Sequence, residues 1–287
     1  MFFECININS IEIPEKVTII SDSLFWHCRN LKSVKFCGEI TIIERQSFYH
    51  CEKLQSISDF NKTYSIGYSA FYCCSSLQSI IIPENVTLID THLFHCCTSL
   101  HTVTLLGNIT MIERWSFHSC ISLNSIIIPN SVNSIRFFAF LNCSSLQSIV
   151  IPEKVTVIDI YCFQYYSSMN SITFLGNITL IEQYAFCFCK SLKNITIPKS
   201  VLYIKEFAFG NCSNLESITI PENVTVIENS VFSSCNCLKS ITFLGNITTI
   251  NQNSFEKCES LELITIPQSV TTIKSRAFSE CKSLKSF

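Results

Sequence analysis

The chain has 287 residues, of which 15% are charged and 47% are apolar. So little charge combined with so high an apolar content excludes an intrinsically disordered chain. Twenty basic against 22 acidic side chains give a formal charge of −2, and without a basic excess to neutralise phosphates we expect no nucleic-acid partner. Six glycines and seven prolines are too few for a flexible linker, so we predict a single domain over residues 1–287.

A phenylalanine recurs every 23 residues, thirteen times from Phe2 to Phe278, without an insertion or a deletion. A period of this length and regularity indicates a solenoid of stacked repeats. If that phenylalanine is position zero, a cysteine stands at plus three in twelve of the thirteen repeats, and a leucine usually stands at plus six. We therefore predict about twelve repeats, with part-repeats at both ends, and columns of Phe, Cys and Leu in the core.

Each repeat predicts one short strand followed by a turn. Leu77, Ile80 and Ile82 follow the alternation of a strand with one buried face. Pro83 comes next and ends the pairing, because proline has no N–H to donate. The Val-x-x-Ile-x-x-x-x-Phe stretch that follows predicts a turn and a short helical or irregular segment on the opposite side. Stacking then gives an α/β repeat solenoid, with a parallel β-sheet on the concave side and the short segments on the convex side.

The repeat unit, for example LESITIPENVTVIENSVFSSC at residues 215–235, resembles the leucine-rich repeats of BspA-like surface antigens. The resemblance covers essentially the whole chain. It implies a right-handed leucine-rich repeat solenoid without enzymatic activity, displayed on the surface of mucosal bacteria or protozoan parasites and used in adhesion to host proteins and cells. One departure is the glycine that the family carries four residues before the phenylalanine, which only Gly67 supplies here.

The outward face of the predicted sheet is the candidate binding surface. Its residues at plus eight are mostly serine and those at plus ten mostly threonine, a neutral and hydroxyl-rich strip. Extended sheet faces are the surfaces on which solenoids bind partners, so we expect a protein or glycoprotein ligand here. The predicted binding residues are Ser79, Thr104, Ser125, Ser148, Ser171, Thr173, Thr196, Ser217, Thr219, Ser240 and Thr242.

We predict no catalytic residues, no cofactor and no metal site. No nucleophile motif, phosphate loop or carboxylate pair stands outside the repeat. His27 and His50 lie beside core cysteines, and the run from His92 through His95 and Cys96 lacks the second paired motif that zinc sites show.

Six cysteines lie off the plus-three column, and two of these, Cys73 and Cys96, share a repeat position. Adjacent rungs would place their Cα atoms within disulfide range. One disulfide between Cys73 and Cys96 is therefore an alternative in an oxidising compartment. For most of the eighteen cysteines, free buried thiols are favoured.

An ion-pair ladder is predicted at four residues before the phenylalanine, where acidic and basic side chains succeed one another. The set is Glu113, Arg136, Asp159, Glu182, Lys205, Glu228, Asn251 and Lys274. Each exposed pair would contribute about 0–1 kcal/mol.

Two interpretations of the cellular compartment and the binding partner are possible from the sequence. The N-terminus lacks the basic start and apolar stretch of a secretory signal, and no run of 18 apolar residues predicts a membrane span. Taken literally, this favours a cytoplasmic scaffold that binds a protein partner, whereas the family resemblance favours a cell-surface or secreted adhesion protein. Part-repeats at Phe2 and Phe287 leave end-to-end self-association open as well.

Overall fold

A computed structural model describes residues 2–58 and 60–285. The chain forms two compact units, residues 1–146 and 147–287, and both are built from the same 23-residue turn. Phe287, where an open C-terminal end was expected, lies outside the described residues.

The first ladder of each unit consists of parallel strands that begin at plus eight of the repeat, as predicted. The ladder is divided into sheets of two or three strands. Within each sheet, equivalent residues of successive repeats pair in register, for example Ile80 with Val103 and Ile218 with Ile241. Its strands in residues 1–146 are β1 (Ser10–Ile13), β3 (Ser33–Phe36), β5 (Ser56–Ile57), β7 (Ser79–Ile82), β9 (Thr102–Leu105) and β11 (Ser125–Ile126). Its strands in residues 147–287 are β13 (Ser148–Ile151), β15 (Ser171–Phe174), β18 (Ser217–Ile220) and β20 (Ser240–Phe243).

A second parallel ladder, made of two-residue strands, occupies the segment for which a helical or irregular conformation was predicted. In residues 1–146 it comprises β2 (Ile19–Ile20), β4 (Ile42–Ile43), β6 (Ser65–Ile66), β8 (Leu88–Ile89), β10 (Met111–Ile112) and β12 (Ser134–Ile135). In residues 147–287 it comprises β14 (Val157–Ile158), β16 (Leu180–Ile181), β17 (Tyr203–Ile204), β19 (Val226–Ile227), β21 (Thr249–Ile250) and β22 (Thr272–Ile273).

The helical alternative, and with it the α/β class, is wrong, because no helix occurs within residues 2–58 and 60–285. Backbone N–H groups here bond to the neighbouring repeat instead of to their own turn, as Glu113 N donates to Ile89 O at 2.8 Å. The segment is also too short to offset the cost of helix nucleation. Residues two before and two after the repeat phenylalanine have φ near +55° to +65°, a left-handed conformation that interrupts a right-handed helix.

Hydrogen bonds between repeats also join the successive turns that carry the repeat phenylalanine. His92, Phe94 and Cys96 each donate a backbone N–H to a carbonyl of the next repeat, at 3.1, 2.7 and 2.8 Å. Equivalent side chains on this turn therefore lie directly above one another.

The core of each unit contains the predicted columns. Successive repeat phenylalanines stack with ring centroids 5.0–5.8 Å apart. Each plus-three thiol from Cys28 onward donates to the carbonyl of the preceding repeat's phenylalanine, as Cys120 Sγ does to Phe94 O at 3.1 Å. Cysteine suits this position because it is a small apolar residue with one weak donor. Tyr166 replaces it once and is fully buried.

Inter-repeat ion pairs form mainly at positions other than the one predicted. Of the set four residues before the phenylalanine, the described residues contain one pair within 4.0 Å, Lys205 with Glu228 at 3.9 Å. Shorter pairs lie beside the first ladder, where Lys239 contacts Glu216 at 2.9 Å. None of the described segments forms a helix of the length and hydropathy that a bilayer crossing requires.

Candidate functional site

All eleven predicted binding residues are exposed, and ten of them lie on strands of the first ladder. Thr196 lies between assigned strands. We call the outward face of this ladder, at plus eight and plus ten, the sheet strip. In residues 147–287 its hydroxyls align across strands, because Ser217 pairs with Ser240 and Thr219 with Thr242. Inward neighbours such as Ile218 are buried, so the alternation predicted from sequence is confirmed.

Exposed aliphatic side chains interrupt the hydroxyls of the sheet strip, and they were not among the predicted binding residues. Ile81 is 55% exposed and Ile127 is 86% exposed. Ile81 pairs in register with Thr104, and Ile127 occupies the same repeat position one rung further on. A surface depression of about 230 Å³ lies on β9 and β11 and is lined in part by Thr104 and Ile127. The sequence indicates these exposed isoleucines at plus ten, where isoleucine replaces threonine.

Charge on the sheet strip is confined to its first rungs. Glu12 and Lys35 hold the plus-ten positions of β1 and β3 and form an ion pair at 3.0 Å. From β7 to β11 the plus-eight and plus-ten side chains are serine, threonine and isoleucine. This part of the strip is therefore uncharged, and it combines two exposed isoleucines with the hydroxyls of serine and threonine.

The opposite, turn-bearing side of residues 1–146 carries a column of stacked rings at plus one. We call it the aromatic column. Successive ring centroids lie 4.4–6.0 Å apart. Its members are Phe3, Trp26, Tyr49, Tyr72, His95 and His118.

Histidines and cysteines from three consecutive repeats meet at the end of this column. Ligand atoms of His95, Cys96 and His118 all lie within 4.8 Å of one another. Cys73, one repeat before Cys96, contacts its thiol, and both are free thiols. His92 approaches His95 from the other side, with the two Nδ1 atoms 3.2 Å apart. We call these five residues the His/Cys cluster.

Close contacts shift the ionisation of the His/Cys cluster. The pKa of the Cys96 thiol lies well below its usual range, because the Cys73 thiol and the imidazoles of His118 and His95 stabilise its thiolate. The same contact raises the pKa of Cys73. Burial and the neighbouring His95 lower the pKa of His92 to about 4, so this imidazole is neutral at neutral pH and has one nitrogen able to accept a hydrogen bond. The arrangement suits cation binding, since thiolate and neutral imidazole are metal ligands.

The sequence placed Cys73 beside Cys96 as a possible disulfide partner. As a metal motif, however, His92, His95 and Cys96 were considered within one repeat only, so His118 was missed. The 23-residue spacing of His95 from His118, and of Cys73 from Cys96, was the available signal. In a solenoid this spacing denotes neighbours in space.

Comparisons with known proteins agree with this architecture. The model of the BspA type leucine rich repeat region matches residues 1–120, 64–186, 89–214 and 158–285. A leucine rich cell surface protein from Faecalibacterium prausnitzii A2-165 is 31% identical, with 96% of this chain and 78% of that chain covered and a TM-score of 0.59. A leucine-rich repeat protein from Bacteroides ovatus is 27% identical over 77% of this chain and 69% of its own, with a TM-score of 0.55.

The pneumococcal vaccine antigen PcpA shares the fold, with 18% identity, a TM-score of 0.50, and 94% of this chain and 75% of its own covered. No curated protein matches the chain. Repeat period, strand ladders and these matches agree: the chain belongs to the family of proteins with BspA-type leucine-rich repeats.

Proposed function

We propose that this protein is a non-enzymatic adhesion protein that binds a protein or glycoprotein partner through the sheet strip. The observation that carries the proposal is the uncharged patch of Ile81, Thr104 and Ile127, in which strongly exposed isoleucines flank a threonine. Large exposed aliphatic side chains on a rigid sheet are typical of interaction surfaces.

The chemistry of the patch suits a partner with both apolar and hydroxyl or amide groups. Full burial of one exposed isoleucine side chain contributes about 1.5–3 kcal/mol. The surrounding hydroxyls donate and accept hydrogen bonds, and the β-branched side chains lose little rotamer freedom on binding. A polypeptide or a glycosylated polypeptide meets all of these conditions.

Placement at the cell surface is part of the same proposal. Its support is the Faecalibacterium relative, which is described as a cell surface protein and is 31% identical. Labelling of intact cells with an impermeant reagent tests it, and labelling only after permeabilisation would favour the cytoplasmic scaffold instead.

Binding of the purified protein to intact mucosal epithelial cells, measured by flow cytometry, tests the sheet strip. We expect Ile127→Arg and Thr104→Arg to reduce bound protein at least about tenfold, the effect of losing about 1.4 kcal/mol. The matched control is Leu88→Arg, which changes an exposed aliphatic residue of the second ladder. If Leu88→Arg weakens binding and Ile127→Arg does not, the partner occupies another face.

We further infer that residues 1–287 act as one leucine-rich repeat domain. The support is the 23-residue period, which continues from Phe140 to Phe163 without an insertion. A single urea transition for the whole chain is expected, and two separate transitions would contradict it.

A further inference from the structure

We propose that His95, Cys96 and His118, with Cys73 as the fourth ligand, form a binding site for a zinc ion. The four residues come from three consecutive repeats, so the ion would clamp three turns of residues 1–146 together. Neither the repeat consensus nor the proposed adhesion function requires this site.

The spacing of the imidazoles is that of two ligands on one tetrahedral ion. His118 Nδ1 lies 3.2 Å from His95 Nε2. Zinc–nitrogen bonds of about 2.0–2.1 Å in a tetrahedron place two nitrogens about 3.3 Å apart. The ligand atoms of His95, Cys96 and His118 all lie within 4.8 Å of one another. In a tetrahedral zinc site the distance between a bound nitrogen and a bound sulfur is about 3.6 Å. Side-chain rotation by roughly 1 Å therefore completes the three-ligand face.

The Cys73 thiol is the candidate for the fourth bond. It lies outside the group of ligand atoms that are within 4.8 Å of one another, so its side chain must rotate toward the ion. It belongs to the preceding repeat, at the position equivalent to Cys96, and its thiol contacts that of Cys96. Two thiolates and two imidazoles make the S₂N₂ donor set that favours zinc in a tetrahedral site over harder cations such as Mg²⁺ or Ca²⁺.

The outward nitrogens of both imidazoles already have partners that would orient them. With Nε2 of His95 on the ion, its Nδ1–H donates to His92 Nδ1 at 3.2 Å. With Nδ1 of His118 on the ion, its Nε2–H donates to Ser119 Oγ at 3.4 Å. Ser119 Oγ in turn accepts from Asn142 Nδ2 at 3.1 Å. Metal-bound histidines characteristically have such outer partners, which fix the tautomer and the ring plane.

Packing holds the central ligand in place. His95 is only 9% exposed, with the Tyr72 ring stacked on it at 4.5 Å and 7° and the His118 ring 4.4 Å away. Cys73, Cys96 and His118 are half-buried, so an ion has access from solvent.

Titration with Co²⁺ of the reduced, metal-free full chain under anaerobic conditions tests the proposal. Tetrahedral cobalt with thiolate ligands gives intense visible d–d bands and a near-ultraviolet thiolate-to-cobalt charge-transfer band. We expect one equivalent of cobalt to produce both, and Zn²⁺ to displace it. Cys73→Ser should roughly halve the charge-transfer band, because one of two thiolates is lost.

Ligand and control variants distinguish the site from adventitious binding. Loss of an outer partner typically weakens metal binding by about 10–100-fold, and we expect this effect from Ser119→Ala. His118→Ala removes a ligand itself and should weaken cobalt binding by more than about 100-fold. His50→Ala is the matched control. His50 occupies plus two of the repeat before Cys73, its ring lies 4.7 Å from that of His27, and its loss should leave the spectrum unchanged. Circular dichroism of the variants verifies folding. A wild-type spectrum without a thiolate band, or equal affinity in His118→Ala and wild type, would overturn the proposal.

Discussion

The buried cysteine column makes a prediction about alkaline stability. Burial raises the pKa of the Cys51, Cys74, Cys97 and Cys120 thiols above the ordinary value. These thiols keep their protons in the folded chain, whereas in the unfolded chain they lose them above a pKa of about 8.5. Because the folded-state pKa is the higher one, the contribution of these thiols to the free energy of unfolding is fully present below about pH 8.5. It is lost as the pH rises toward the folded-state pKa.

The magnitude follows from proton linkage. Between pH 8 and pH 10 each buried thiol lowers the free energy of unfolding by about 2 kcal/mol, since the unfolded thiol ionises while the folded one does not. The four thiols together give about 8 kcal/mol, which is comparable with the whole stability of an ordinary domain. We therefore expect the protein to lose much of its stability between pH 8 and pH 10 while remaining fully stable at pH 7.

Urea unfolding followed by circular dichroism, at several pH values from 7 to 10 with a reductant present, measures this effect. Cys120→Ala removes one buried thiol. Between pH 8 and pH 10 the free energy of unfolding should therefore decrease less in this variant than in the wild type, by a difference of about 2 kcal/mol. The control is Cys37→Ala, because Cys37 is exposed and its removal should leave the pH dependence unchanged. Identical pH dependence in Cys120→Ala and wild type would refute the reasoning.

Three further outcomes are expected. Phe94→Ala, which empties a fully buried position in the phenylalanine column, should lower the free energy of unfolding by about 3–5 kcal/mol, and a loss below 1 kcal/mol in urea titrations would contradict the close packing. Lys205→Glu places like charge opposite Glu228 and should lower the melting temperature by no more than about 4 °C, whereas an unchanged or higher value in scanning fluorimetry would contradict the ion pair. Zinc at 100 times its dissociation constant should raise the free energy of unfolding by about 2.7 kcal/mol, and no such gain should occur in His118→Ala.

The repeat made much of the fold predictable, because thirteen in-phase phenylalanines fix which residues are neighbours in space. The strand at Ser79–Ile82 follows from this period together with the alternation of Leu77, Ile80 and Ile82, and the burial of Cys120 follows from its place in the plus-three column. The second ladder at Leu88–Ile89 did not, since the spacing of Val86 and Ile89 suits a helical turn as well as a two-residue strand. Inter-repeat hydrogen bonds and the left-handed residues decide between them, and neither is visible in an apolar pattern.

The candidate sites were predictable to different degrees. The exposed hydroxyls of the sheet strip follow from period-two alternation, and so does the exposure of Ile127, because plus ten is an outward position. The apolar character of Ile127, taken alone, would place it in the core. The His/Cys cluster combines side chains 23 residues apart, His95 with His118 and Cys73 with Cys96. Motif spacing within one repeat does not detect such a cluster, while comparison of equivalent positions between repeats does.

Site-specific photocrosslinking measures the proposed binding face most directly. A photoreactive amino acid is placed at position 127 in one protein and at position 88 in another, each is bound to intact mucosal epithelial cells, and the irradiated products are separated by mass. Binding through the sheet strip predicts a covalent adduct with a cell-surface protein from position 127 and none from position 88. An adduct from position 88 alone, or equal adducts from both positions, would contradict it.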